Sequence, residues 1–84
     1  MARRIHQRVE ELRAARNLQV MRSLPAAHCH ELSGKWENCF AVSITGNFRI
    51  IFEPVHEPIP RMNDGSIDWE KITRIRILEI VDYH

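Results

Sequence analysis

The residues of this chain best suited to chemistry are a single strand arginine, Arg49, the closing triplet Asp82-Tyr83-His84, and the mixed segment His28-Cys29-His30 with Cys39. Arginine presents a planar, permanently charged fork that fits the oxygens of a carboxylate or phosphate. Histidine exchanges protons near neutrality, although a lone histidine near a chain end is more often inert than catalytic. Tyr83 suits a core aromatic and a site residue equally well. Zinc is the obvious use for His28, Cys29, His30 and Cys39. Alternate residues of an extended segment project to opposite sides, however, and neither C-x-x-C nor H-x3-H spacing occurs. No metal or cofactor is therefore expected. Lys35, beside a turn, either touches a phosphate or is simply solvated. His6 and His56 read as surface residues. The sequence holds no Gly-rich phosphate loop, nucleophile elbow or paired-carboxylate spacing.

Positioning falls to residues 40–52. Phe40, Val42 and Ile44, then Phe48, Ile50 and Phe52, follow the period-2 pattern of two strands with one buried face each. A two-residue loop would pair Ile44 with Arg49 and split the apolar sets between faces. A three-residue loop, Thr45-Gly46-Asn47, pairs Ile44 with Phe48 and keeps all six together, with Gly46 or Asn47 supplying a positive φ. Arg49 then stands beside Ser43, pointing away from the core as one fixed cation.

The 84 residues make one small domain, which buries roughly 60–65% of its unfolded surface. With 44% hydrophobic residues the chain is globular rather than disordered. No apolar run is as long as a membrane span, and the N-terminus has no signal-peptide core, so a cytoplasmic protein is expected. Two cysteines fit a reduced compartment better than a disulfide framework. The net charge of +1 is unevenly spread. Residues 1–30 hold six arginines against two acids, and residues 31–84 hold six basic residues against nine acids. Such asymmetry allows a basic face, in which Arg3, Arg4 and Arg8 belong to the first helix, or merely a solvated one.

That helix is expected over residues 3–16, through Ile5, Val9 and Leu12, and without an N-cap. Asn17 caps a second helical turn over 18–24, ended by Pro25. Residues 28–32 approach as a strand or extended loop, and 34–38 turn. Pro54 closes the second hairpin strand, and 55–68 reads as an irregular, mobile excursion. Trp69 and Ile72 re-enter the core before a last strand over 73–81. Its apolar residues change phase between Ile77 and Leu78, so either both faces are covered or a bulge intervenes. The fold class is α+β, with N-terminal helices packed on a small antiparallel sheet.

The segment His30-Glu31-Leu32-Ser33-Gly34, the strand Phe40-Ala41-Val42-Ser43-Ile44, the strand Asn47-Phe48-Arg49-Ile50-Ile51-Phe52 and the terminal Asp82-Tyr83-His84 resemble the RelE/ParE superfamily of bacterial type II toxins. The match is to its HigB-type, or plasmid-maintenance killer, branch. The resemblance implies a toxin neutralised by a cognate antitoxin. It also implies an endoribonuclease that cleaves mRNA in the ribosome without a metal, the 2′-hydroxyl attacking its own 3′ phosphate. It assigns Arg49 to the scissile phosphate and His84 to acid/base transfer. Asp82 and Tyr83 match the neighbours of that histidine, and His30 corresponds more weakly to a second one. Lys35, Arg3, Arg4 and Arg8 would grip RNA phosphates.

Two departures from the family accompany this resemblance. Ser33 stands where a lysine is common, and Trp36, Glu37 and Asn38 occupy a turn that is usually basic. The family also starts with a strand and a helix that have no counterpart here. A sheet edge would then await an antitoxin segment, a second copy of the chain, or nothing. Rival readings are a catalytically silent antitoxin-binding remnant and a ParE-like gyrase inhibitor.

Overall fold

The structure, a computed structural model, describes residues 1–82. The alternation of apolar residues produces four antiparallel strands lying side by side in chain order: β1 (His30–Glu31), β2 (Phe40–Ser43), β3 (Phe48–Pro54) and β4 (Ile75–Asp82). The register pairs Phe40 with Phe52, Val42 with Ile50 and Ser43 with Arg49. The Ile44 N–H continues it, donating to the Phe48 carbonyl at 2.9 Å. The three-residue loop is thus as expected, but neither Gly46 nor Asn47 has a positive φ.

One α-helix, α1 (Ala2–Ala14), begins at Met1 without a side-chain cap and stops where Ala15 turns extended. The plural helices expected before the sheet reduce to this one. Leu18–Ser23 and Pro25–Ala27 wind as 3₁₀ turns, as do Gly34–Trp36 and Trp69–Lys71 farther on. The three-residue segments are too short to sustain α-helical pairing, and Pro25 brings no N–H that could extend Leu18–Ser23 into a longer helix. Asn17 caps the first of these turns, its Oδ1 accepting from Val20 N–H at 3.2 Å.

The main core lies between α1 and one face of the sheet. Leu12, Leu18 and Met21 meet Phe40, Val42, Ile50 and Phe52, with Ile5 and Val9 at the margin. Phe40 stacks on Phe52 and takes the edge of Trp69 at 4.8 Å between ring centres. The opposite face is not solvated as alternation implied. There Leu32, Cys39, Ala41 and Ile51 form a second buried cluster, with Trp36 and Val81 against it. The turn Gly34–Trp36 carries Trp36 back over that face, which is why every residue of β2 is buried.

The phase change in the last strand is a bulge. Ile51 pairs with Glu79 and Phe52 with Ile77, leaving Leu78 as the extra residue. Ile75, Ile77 and Ile80 are thereby brought to one face. Residues 55–68 are better anchored than expected of an excursion: Ile67 is buried, Arg61 bridges to Ile67, and Arg61 donates to Asn38 Oδ1 at 3.1 Å. Trp69 and Ile72 enter the core as expected. His56 is a structural acceptor here, taking the N–H groups of Thr73 and Arg74 on Nε2 at 3.1 and 3.3 Å. Among the described residues no helix is long and apolar enough to cross a membrane.

Candidate phosphate site at the hairpin

β1 spans only two residues, paired with Phe40 and Ala41, so the outer side of β2 runs past its neighbour. Because Ile44 and Phe48 form a hydrogen-bonded pair, the backbone groups of Ser43 turn away from β3, toward that uncovered side. Arg8 fills the gap. Its Nε donates to the Ser43 carbonyl at 2.7 Å, Nη2 to the Ala26 carbonyl at 3.2 Å, and Nη1 to Glu11 Oε1 at 3.0 Å. Arg8 is only 5% exposed. Arg8, expected at an RNA phosphate, is turned inward here: this guanidinium ties α1 to the hairpin and to the turn Pro25–Ala27, and its charge is balanced by Glu11.

Arg49 stands opposite Ser43 and is half-buried. Its Nη1 donates to the carbonyls of Thr45 and Gly46 at 3.1 Å and of Phe48 at 3.2 Å. The guanidinium is thus folded over its own turn, where it gathers the turn carbonyls and is held in one place. Arg49 belongs to the wall of a cavity of about 360 Å³, together with Arg4, Arg8, His28 and the hairpin residues. Arg4 and His28 are exposed, and none of the described residues lining this cavity is acidic. A concave site with this balance attracts anions, and the guanidinium geometry suits phosphate oxygens. A larger cavity, about 760 Å³, brings Arg61, Arg74 and Arg76 together but shares them with Glu53 and Glu57. Arg76 lies 3.6 Å from Glu53 there, so the charge is mixed.

His28 lines this cavity although its sequence context marks it only as a zinc candidate. It adopts a left-handed backbone, φ 46°, which is uncommon for a side-chain-bearing residue and frequent at functional positions. No spacing rule signals that conformation. Its carbonyl accepts a hydrogen bond from His30 Nδ1 at 2.8 Å. His30 is exposed on β1 and does not line the cavity, nor do the exposed Arg3 and Lys35. Lys35 instead lies over the Trp36 ring, 5.5 Å from its centre. Asp82 closes β4 opposite Phe48, one register step from the Arg49 pair. Tyr83 and His84 lie outside the described residues.

No protein-family model, curated protein or solved structure matches this chain. Cys29 packs against the main core and Cys39 belongs to the cluster on the other face of the sheet. Burial pushes the Cys29 thiol up to about 12, against a smaller opposing pull from Arg22, and burial followed by Glu53 raises Cys39. Both thiols are held protonated, the wrong state for a nucleophile or ligand. Among the described residues no three His, Cys, Asp or Glu side chains come together as metal ligands.

Proposed function

We propose that this protein is the toxin of a type II toxin–antitoxin pair, akin to the HigB-type branch of the RelE/ParE superfamily, and that it cuts mRNA on the ribosome. The observation that carries this reading is the cavity at the hairpin, which Arg49, Arg4 and His28 line together and to which no described residue brings an acid. Attack of a 2′-hydroxyl on its own 3′ phosphate concentrates negative charge on the non-bridging oxygens. A guanidinium already fixed by Thr45, Gly46 and Phe48 meets that charge without rearranging. Removing one such donor costs about 3–4 kcal/mol of transition-state stabilisation. In this reading His84 transfers the proton, a contribution of roughly 10²–10⁴-fold. Tyr83 stacks on or orients a base, and Asp82 ends the strand that leads to both. Exposed Arg3 and Arg4 lie against rRNA phosphates, a sequence-independent and salt-sensitive attraction. A cognate antitoxin in the same cytoplasm holds the activity in check.

A catalytically silent antitoxin-binding relative is the second reading. It is favoured by the withdrawal of Arg8 from solvent and by the turning of Arg49 Nη1 onto its own loop. Translating ribosomes supplied with the purified protein discriminate the two. The toxin reading predicts mRNA cuts that Arg49→Ala and His84→Ala both lose. Intact mRNA with retained antitoxin binding selects the silent relative, and gyrase poisoning without RNA cleavage selects the ParE-like reading.

A further inference from the structure

β4 is an edge strand eight residues long, and among the described residues nothing pairs with its outer side over positions 75–81. Ile77, Leu78 and Ile80 are 44%, 39% and 44% exposed there. Long apolar edges of this kind template pairing with another strand. Beside this edge, on the α1 side, a largely apolar groove of about 480 Å³ opens between Val9 and Leu12 of α1, Ala15, and Ile75 and Ile77 of β4, with Arg13, Thr73 and Arg74 also in its lining. The helix does not cover the last strand, and the core is open along that border.

The register fixes which groups the edge offers. The Ile44–Phe48 hydrogen-bonded pair turns the backbones of Phe48, Ile50 and Phe52 toward β2, and those of Arg49, Ile51 and Glu53 toward β4. Their partners Val81, Glu79 and Arg76 face inward, so Ile75, Ile77 and Ile80 carry the outward N–H and C=O groups. Arg76 and Glu79 project to one face of the sheet, and Ile75 and Ile80 to the other, only because the extra residue Leu78 lies between them.

We infer that the occupant of this edge is a second copy of the chain, paired antiparallel through β4 so that Arg76 of each copy faces Glu79 of the other. In this register Ile75 meets Ile80 of the second copy through its outward backbone groups, and the incoming isoleucine borders the apolar groove. Arg76 and Glu79 form a non-hydrogen-bonded pair, in which cross-strand side chains approach most closely, and they do so twice about the two-fold axis. Without the bulge the same register would set each of these pairs on opposite faces. Self-complementary charge, matched backbone groups and an adjoining groove therefore agree on one pairing. It is independent of the toxin reading.

Sedimentation equilibrium of the full chain, with Glu79→Arg, Arg76→Glu and the double swap, tests this. The side chain of Arg76 is 63% exposed and Glu79 is exposed; Arg76→Glu gives up the 3.6 Å contact with Glu53, and circular dichroism checks that each variant keeps the fold. The wild type is expected to form a dimer of twice the 9.9 kDa chain. Each single reversal weakens it by at least about tenfold, and the double swap restores it. A wild type that stays monomeric at every concentration, a dimer indifferent to either reversal, or a loss that the swap does not repair overturns the proposal. The first of these outcomes assigns the edge to a different strand.

Discussion

Replacing Arg8 separates a structural cation from a phosphate-binding one. In Arg8→Met the apolar stem is kept, while the donors to Ser43 and Ala26 at 2.7 and 3.2 Å are lost. A hydrogen bond from a charged donor contributes about 1.5–3 kcal/mol, and a buried carbonyl left without one costs about 1–3 kcal/mol. These terms overlap, and removing a buried charge returns some desolvation energy. The net loss should be about 2–4 kcal/mol, from a small domain's total of about 5–15. At about 4–8 °C per kcal/mol, the melting temperature falls by roughly 8–32 °C. Arg8→Lys keeps the charge but not a fork that reaches two carbonyls and Glu11, so it recovers no more than half. Exposed Arg4→Met is the control, with a change within about 0.5 kcal/mol. Urea unfolding monitored by circular dichroism supplies the midpoints, with the slopes required to stay equal. A loss in Arg8→Met no larger than in Arg4→Met would refute the reasoning and return Arg8 to the surface.

The buried thiols give a second expectation. Native Cys29 should resist iodoacetamide at neutral pH and react readily once the chain is unfolded. Because folding raises its pKa from 9.0 to about 12, Cys29 contributes stability that is complete below 9.0 and lost as the pH rises toward 12. Cys29→Ala should flatten that alkaline decline, measured as melting temperature against pH. Asn17→Ala removes the acceptor of Val20 N–H and should cost about 1 kcal/mol in urea unfolding, with no effect on RNA cleavage.

The hairpin was readable in sequence because parity leaves little choice: only an odd loop keeps Phe40, Val42 and Ile44 on the face of Phe48, Ile50 and Phe52. The Asn17 cap was readable for a similar reason, since a short polar acceptor before an apolar turn has a local partner three residues on. What escaped depends on partners far along the chain. Arg8 looks like every other arginine of the basic first helix until Ser43, 35 residues away, presents a carbonyl that β1 is too short to cover. The second buried face of β2 depends on Trp36 folding back, and alternation in a strand carries no record of that. The bulge was seen as a phase change, but its place at Leu78 required the register against β3. His28 was hidden because a left-handed residue in a wall beside Arg49 leaves no periodic trace.

The central claim, that Arg49 serves a scissile phosphate, is tested most directly by single-turnover cleavage of a short mRNA in the ribosome, comparing wild type with Arg49→Ala and identifying the RNA ends. The account predicts 2′,3′-cyclic phosphate ends from the wild type and a rate about 10²–10³-fold lower in the variant, with mRNA binding little changed. Cleavage at an undiminished rate by Arg49→Ala, or no cleavage by a folded wild-type protein, would contradict it.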